Sequence, residues 1–239
     1  MKIALFTDPH CSPTKINGSR RPSLSRGKIV EAMEAFRAAG AEICFCLGDL
    51  TDTADEDTRE SVCARITELS GMIRSYGIPF HLVPGNHDYL EAKAEDFQRC
   101  GGFSIPPYTL EAGGLRFIAL DANYRSDMRR FDVAGELWTD SNLPPEQLAY
   151  LDRALTESTL PCVILIHENL DTTITHQPEH IVLNAAEANQ IIARHKEKVR
   201  IVIQGHYHPG ADAVIDGVRY LTLPAMCEGE GNAYRILEL

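Results

Sequence analysis

Lys2-Ile3-Ala4-Leu5-Phe6-Thr7-Asp8-Pro9-His10 begins with a run fit for a buried strand and closes on two side chains able to bind a metal. The apolar run has the length of a strand covered on both faces. Pro9 fixes one backbone angle between the acid and the imidazole. The same pattern recurs along the chain. Ile43 to Leu47 leads into Gly48-Asp49, Phe80 to Val83 into Gly85-Asn86-His87-Asp88, Cys162 to Ile166 into His167, and Val199 to Ile203 into Gly205-His206-Tyr207-His208. Amphipathic stretches separate these runs, which predicts an α/β fold with a largely parallel sheet. The donor residues are then expected along one edge of one sheet, where open α/β sheets bind ligands.

Taken singly, each donor has an ordinary explanation. A histidine at a strand end often hydrogen-bonds at the surface, and Gly48 could simply permit a sharp turn. The set is harder to dismiss, because five of nine histidines (His10, His87, His167, His206, His208) fall in these corners with Asp8, Asp49 and Asn86. Oxygen and imidazole donors in that number suit a two-metal hydrolytic centre.

Between the strands, Ser25 is placed to cap a helix reaching Ala39, with Gly40 as its stop. A second helix is expected over about 55–76, ended by Gly77, with Asp55, Glu56 and Asp57 as a solvated, capped first turn. Gly113-Gly114 and Asp216-Gly217 each join two apolar runs as β-hairpins. Pro144 and Pro145 precede a helix to about Glu157, and Asn184 is placed to cap one reaching His195. Long loops at 11–24, 123–143 and 168–183 lie on the metal side of the strands, where substrate selection is expected.

A chain of 239 residues, 44% hydrophobic, can bury a core as one domain spanning 1–239. A net charge of −11 disfavours affinity for nucleic acid polymers or anionic membranes. No apolar stretch approaches the ~20 residues of a membrane span, and a strand starting at Lys2 leaves no room for a signal peptide, so a cytoplasmic protein is expected. Seven cysteines with no Cys-x-x-Cys pair suggest reduced thiols, with Cys44, Cys46 and Cys162 as small buried hydrophobes. Cys11 follows His10 and either approaches the site or packs a loop. Asn17-Gly18-Ser19 reads as a turn.

The ordered blocks DPH, GDLTD, GNHD, a lone His167 and GHYH resemble the calcineurin-like metallophosphoesterase superfamily over residues 1 to about 210. The resemblance implies a four-layer α/β/β/α sandwich with two mixed β-sheets. It also implies that Asp8, His10 and His208 hold one metal, that Asn86, His167 and His206 hold the other, and that Asp49 bridges them. The cofactor would be two transition-metal ions, with Mn, Fe, Zn and Co all compatible with these donors. A metal-bridging hydroxide would attack a small phosphate ester in line. His87 is left to protonate the departing alkoxide. Asp88 either orients that imidazole or stabilises the corner as an Asx-type turn.

GDLTD and the chain length look like the bacterial cyclic-nucleotide and glycerophosphodiester branch, which implies a phosphodiesterase. His167-Glu168-Asn169 departs from that branch, which often has His-His or His-x-Pro there. A phosphomonoesterase or nucleotidase is the nearest rival, and a non-catalytic scaffold of the same fold a more distant one. Pro84 and Asp88 stand against a phosphoprotein phosphatase, which characteristically carries Arg-Gly-Asn-His-Glu. Arg20, Arg21 and Arg26 form either a phosphate grip or an ordinary surface patch. Pro178 rules out a helical pair of His176 and His180, which are expected to be solvated; His81 and His195 are expected to be structural or surface groups. Asn123 and Tyr124 are candidates to line the pocket.

Overall fold

The computed structural model describes residues 1–131 and 138–239. Its strands form two mixed sheets. β1 (Lys2–Phe6), β2 (Ile43–Cys46) and β3 (Phe80–Leu82) run parallel, and β10 (Arg235–Glu238) pairs antiparallel with β1, giving the order β10-β1-β2-β3. The second sheet contains β4 (Tyr108–Ala112), β5 (Leu115–Ala119), β6 (Cys162–Leu165), β7 (Val199–Gln204), β8 (Ala211–Ile215) and β9 (Val218–Thr222) in the order β4-β5-β6-β7-β9-β8. Its β5, β6, β7 and β9 are parallel, and the two expected hairpins add β4 and β8 as antiparallel edges.

The expectation of one sheet is therefore wrong, and the two-sheet sandwich is right. Every strand in question is apolar on both faces, so its period could not say which neighbour it has. Alternation along β1 decides the layers: Ile3 and Leu5 meet Phe45, Phe117, Val163 and Ile203 between the sheets, while Ala4 and Phe6 turn towards helices. Phe45 and Phe117 lie 5.0 Å apart between ring centroids and tie one sheet to the other.

Helices supply the crossovers β1 to β2, β2 to β3, β5 to β6 and β6 to β7, while β7 reaches its parallel neighbour β9 through β8. α1 (Ser25–Ala39), α2 (Arg59–Arg74) and α3 (Ala94–Gly101) cover the first sheet; α4 (Pro145–Glu157) and α5 (Ala185–Arg194) cover the second. Gly40 ends α1 in the left-handed region, as expected. Ser25 begins that helix but does not cap it, and its hydroxyl makes no cap bond. The acidic stretch at 55–57 precedes α2, whose cap is Thr58 in a reciprocal pair with Ser61. Asp57 there is tied to Arg65 at 2.7 Å and is not a freely solvated charge. Asn184 stands at the N-cap position of α5, as expected, but its amide makes no cap bond and instead exchanges two bonds with the Leu143 backbone at 2.9 Å. No helix among the described residues is long and apolar enough to cross a membrane.

Since the intersheet layer sets the relative placement of the two sheets, Phe117→Ala should cost roughly 3–5 kcal/mol. A lower urea midpoint at an unchanged slope would show it.

Candidate metal centre

Four of the six non-glycine residues with positive φ among the described residues are donors from the sequence pattern: Asp8 (51°), His10 (48°), Asp49 (51°) and His206 (65°). Such angles are costly for these residues and persist only where surrounding bonds impose them. Here the Asp8 N–H donates to the Gly48 carbonyl at 3.0 Å and the His10 N–H to the Asp49 carbonyl at 2.8 Å. The first two corners are thereby locked together. A third bond spans the sheets, from the His206 N–H to Asp8 Oδ2 at 3.1 Å.

These turns bring all seven metal candidates together: Asp49, Asn86, His206 and His208 line one cavity with His87, while Asp8, His10 and His167 lie buried behind them. Asp49 Oδ2 lies 3.4 Å from His10 Nε2 and 3.4 Å from His167 Nε2. On the His10 side, His208 Nε2 is 3.2 Å from His10 Nε2 and 3.5 Å from Asp8 Oδ1. On the other side, the His206 ring is 5.1 Å from that of His167, and Asn86 joins it in lining the cavity. The cavity holds about 590 Å³.

The donor set fits a metal pair by a test internal to the structure. Asp8 Oδ1, Asn86 Oδ1 and His167 Nε2 are buried without any hydrogen-bond partner. Buried polar atoms rarely remain unpaired, and these three belong to residues singled out as ligands. The far sides of the imidazoles are tied down: His208 Nδ1 meets Glu228 at 2.6 Å, His167 Nδ1 meets the Leu47 carbonyl at 2.6 Å, and His10 Nδ1 lies 3.4 Å from Asp52. Outer partners of this kind fix which ring nitrogen faces a metal.

Proton positions follow from the same proximity. Burial would raise the Asp49 carboxyl, but the His167, His87 and His10 rings hold it well below the usual carboxylate range. Burial would depress His10, yet Asp49, Asp52 and Asp8 push it up to about 9. His206 is held far below its ordinary value, first by burial and then by the neighbouring His167. Asp8 and Asp49 are thus held as carboxylates by the imidazoles around them.

A family model described as calcineurin-like phosphoesterase matches residues 1–210. The chain belongs to that family. It is a metal-dependent phosphoric ester hydrolase. A probable cyclic nucleotide phosphodiesterase of Synechococcus is 27% identical over 87% of this chain and 73% of its own. The 3',5'-cyclic adenosine monophosphate phosphodiesterase of Haemophilus influenzae is 21% identical over 95% and 77%. Among solved structures, a dimetal phosphatase from Danio rerio superposes with a TM-score of 0.82 at 17% identity, covering 100% of this chain and 92% of that one.

Of the two roles left open for Asp88 by the sequence, the structure shows the second, the bracing of the corner. Asp88 does not meet the His87 ring: its carboxylate accepts from the Thr51 N–H at 2.9 Å and the Gly85 N–H at 3.0 Å. Asp52 takes the orienting position instead, with Oδ1 2.9 Å from His87 Nδ1. Sequence reasoning missed Asp52 even though it closes the quoted GDLTD block. Glu228 and Trp138 were missed as well, and neither carries a local signal.

His180 is not solvated, because its ring packs 5.2 Å from His206 and 5.1 Å from Trp138. His176 bonds the Tyr207 hydroxyl at 2.7 Å. The basic patch separates: Arg20 reaches the cavity, Arg21 binds backbone carbonyls and Arg26 pairs with Glu68. Cys11 is buried beside the corner in a bridge to Thr51, its thiol pushed up to about 12 by burial. Asn123 is buried against the Pro84 carbonyl, and Tyr124 packs on Arg130. Residues 132–137 of the expected 123–143 loop lie outside the described residues.

Gly85 allows the corners to meet, since a Cβ there would lie 2.3 Å from Asp49 Oδ1 and 2.6 Å from His167 Nε2. Gly85→Ala should therefore lower bound metal severalfold while leaving far-ultraviolet circular dichroism unchanged, with metal content read by elemental analysis.

Proposed function

We propose that the chain hydrolyses small phosphodiesters, of the cyclic nucleotide or glycerophosphodiester type, at a dinuclear metal centre. The observation that carries this reading is the position of Asp49, whose one oxygen is equidistant from ring nitrogens on either side, with unpartnered buried donors beyond them. Asp8, His10 and His208 would hold one metal; Asn86, His167 and His206 would hold the other; Asp49 would bridge. When bound, such a pair supplies Lewis acidity towards the phosphate oxygens and towards the attacking water.

The protein's own contribution is placement and proton delivery. Asp52 holds His87 by Nδ1, which leaves Nε2 of a cavity-lining ring to hand a proton to the departing alkoxide. Asp88 keeps the turn that carries this ring in shape. A cavity of about 590 Å³ with Arg20 as its one Lys or Arg among the described lining residues suits a small ester better than a nucleic acid strand. The diester preference draws support from the relatives named as phosphodiesterases. We also assign the activity to one domain, 1–239, because residues of both sheets share the central layer.

Asp49→Ala should abolish hydrolysis and strip metal. His87→Ala should keep the metal and lower kcat roughly 10²–10⁴-fold, the usual worth of a positioned acid. Loss of metal in His87→Ala would refute its assigned role. Steady-state rates on bis-p-nitrophenyl phosphate and p-nitrophenyl phosphate with added Mn²⁺ test the substrate class. The diester should be preferred, and a strong monoester preference would overturn the reading.

A further inference from the structure

Arg20 is the only Lys or Arg among the described residues lining the cavity, and the fold fixes where it stands. Its backbone closes a tight turn with Asn17, exchanging bonds at 3.0 and 3.2 Å, and bridges to Glu228. Flanking bonds, from Arg21 N–H to the Cys227 carbonyl and from Gly229 N–H to the Ser19 carbonyl, pin the turn on both sides. The guanidinium is thus carried on a braced element, with its side chain 21% exposed.

Its bonding is incomplete. Nη1 lies 3.4 Å from Asp52 Oδ2 and 3.4 Å from His10 Nδ1, both long for a charged pair. The second contact lapses once His10 binds through Nε2, since Nδ1 then carries the ring proton and accepts nothing. Nε and Nη2 donate to no described residue. Asp52, meanwhile, is already engaged by His87 at 2.9 Å and by the Thr53 N–H at 2.8 Å. Three features thus coincide: a fixed cation, an open fork and an anionic reaction.

The side of the site it occupies follows from Asp52, which touches both Arg20 and His87. His87 marks the departing group, because an acid must reach the leaving oxygen. Arg20 meets His10 at Nδ1 while Nε2 of that ring faces Asp49 and His208, so the guanidinium stands on the far side of the ring from the donor cluster. We propose that Arg20 reads the departing half of the substrate, favouring phosphodiesters whose leaving group carries a further anion, a carboxylate or phosphate. This deepens the phosphodiester reading and rests on it. A guanidinium fork matches such an anion by two parallel bonds.

The test compares two esters, phenyl 3-carboxyphenyl phosphate and its methyl carboxylate ester, assayed with Mn²⁺ for release of the substituted phenol. Wild type should favour the carboxylate in kcat/KM. In Arg20→Ala the charged-to-neutral ratio should fall roughly ten- to a hundredfold, the worth of a charged hydrogen bond, and Arg20→Lys should retain part of it. A ratio unchanged from wild type in Arg20→Ala would overturn the assignment and leave Arg20 as a mere counterion of Asp52. No turnover of either ester by wild type would overturn the phosphodiester reading and the Arg20 assignment with it.

Discussion

The Asp49 carboxylate, buried between imidazoles contributed by two different sheets, is the interaction on which the rest of the structure depends. His10 follows β1 in the first sheet and His167 follows β6 in the second, and both direct Nε2 to the same oxygen at 3.4 Å. The centre is therefore a seam. It exists only while the intersheet layer holds the strand ends in register, which is why packing around Phe45 and Phe117 bears on a site that neither touches. The cost of the arrangement is visible in left-handed backbone at four donor residues. Turn-to-turn hydrogen bonds hold that strain in place.

Much of this was legible in the order of the residues. Each donor sits at the end of a short apolar run, so the five strand ends and their side chains could be read before any coordinates. Where reading failed, the missing information was nonlocal. An apolar strand buried on both faces shows no preference between one sheet and two, and only the alternation of Ile3 and Leu5 against Ala4 and Phe6, set against actual neighbours, separates the layers. Short α3 and the terminal strand β10 left no periodic trace long enough to recognise. Glu228 lies 20 residues beyond His208 and meets it only because the chain returns past the corner.

Asp88 and Asp52 show why adjacency in sequence could not choose between the two roles open to Asp88. The residue next to His87 is carried by a tight turn, which points successive side chains in different directions; Asp88 is turned inward onto Thr51 and Gly85. The acid that reaches the imidazole comes from three residues past Asp49, on a separate loop. A single loop thus supplies the carboxylate between the two imidazoles and the support for the acid. The spacing has a physical use: Asp52 Oδ1 faces His87 and Oδ2 faces His10, so one carboxylate links the proposed proton donor to a proposed metal ligand.

The charge balance raises a last problem, because a protein of net charge −11 must accept an anionic ester into a cavity lined by Asp49 and Glu228, with Asp8 and Asp52 buried against its histidines. Left alone, those carboxylates would repel substrate. On the proposed dinuclear reading, cations held by the donor set would reverse that field at the point of reaction. Arg20, which lines the same cavity, would add a positive charge carried by the fold itself. On that reading the acidic net charge would favour selectivity, since an extended polyanion would meet repulsion along its length while a small ester would meet only the cationic pocket.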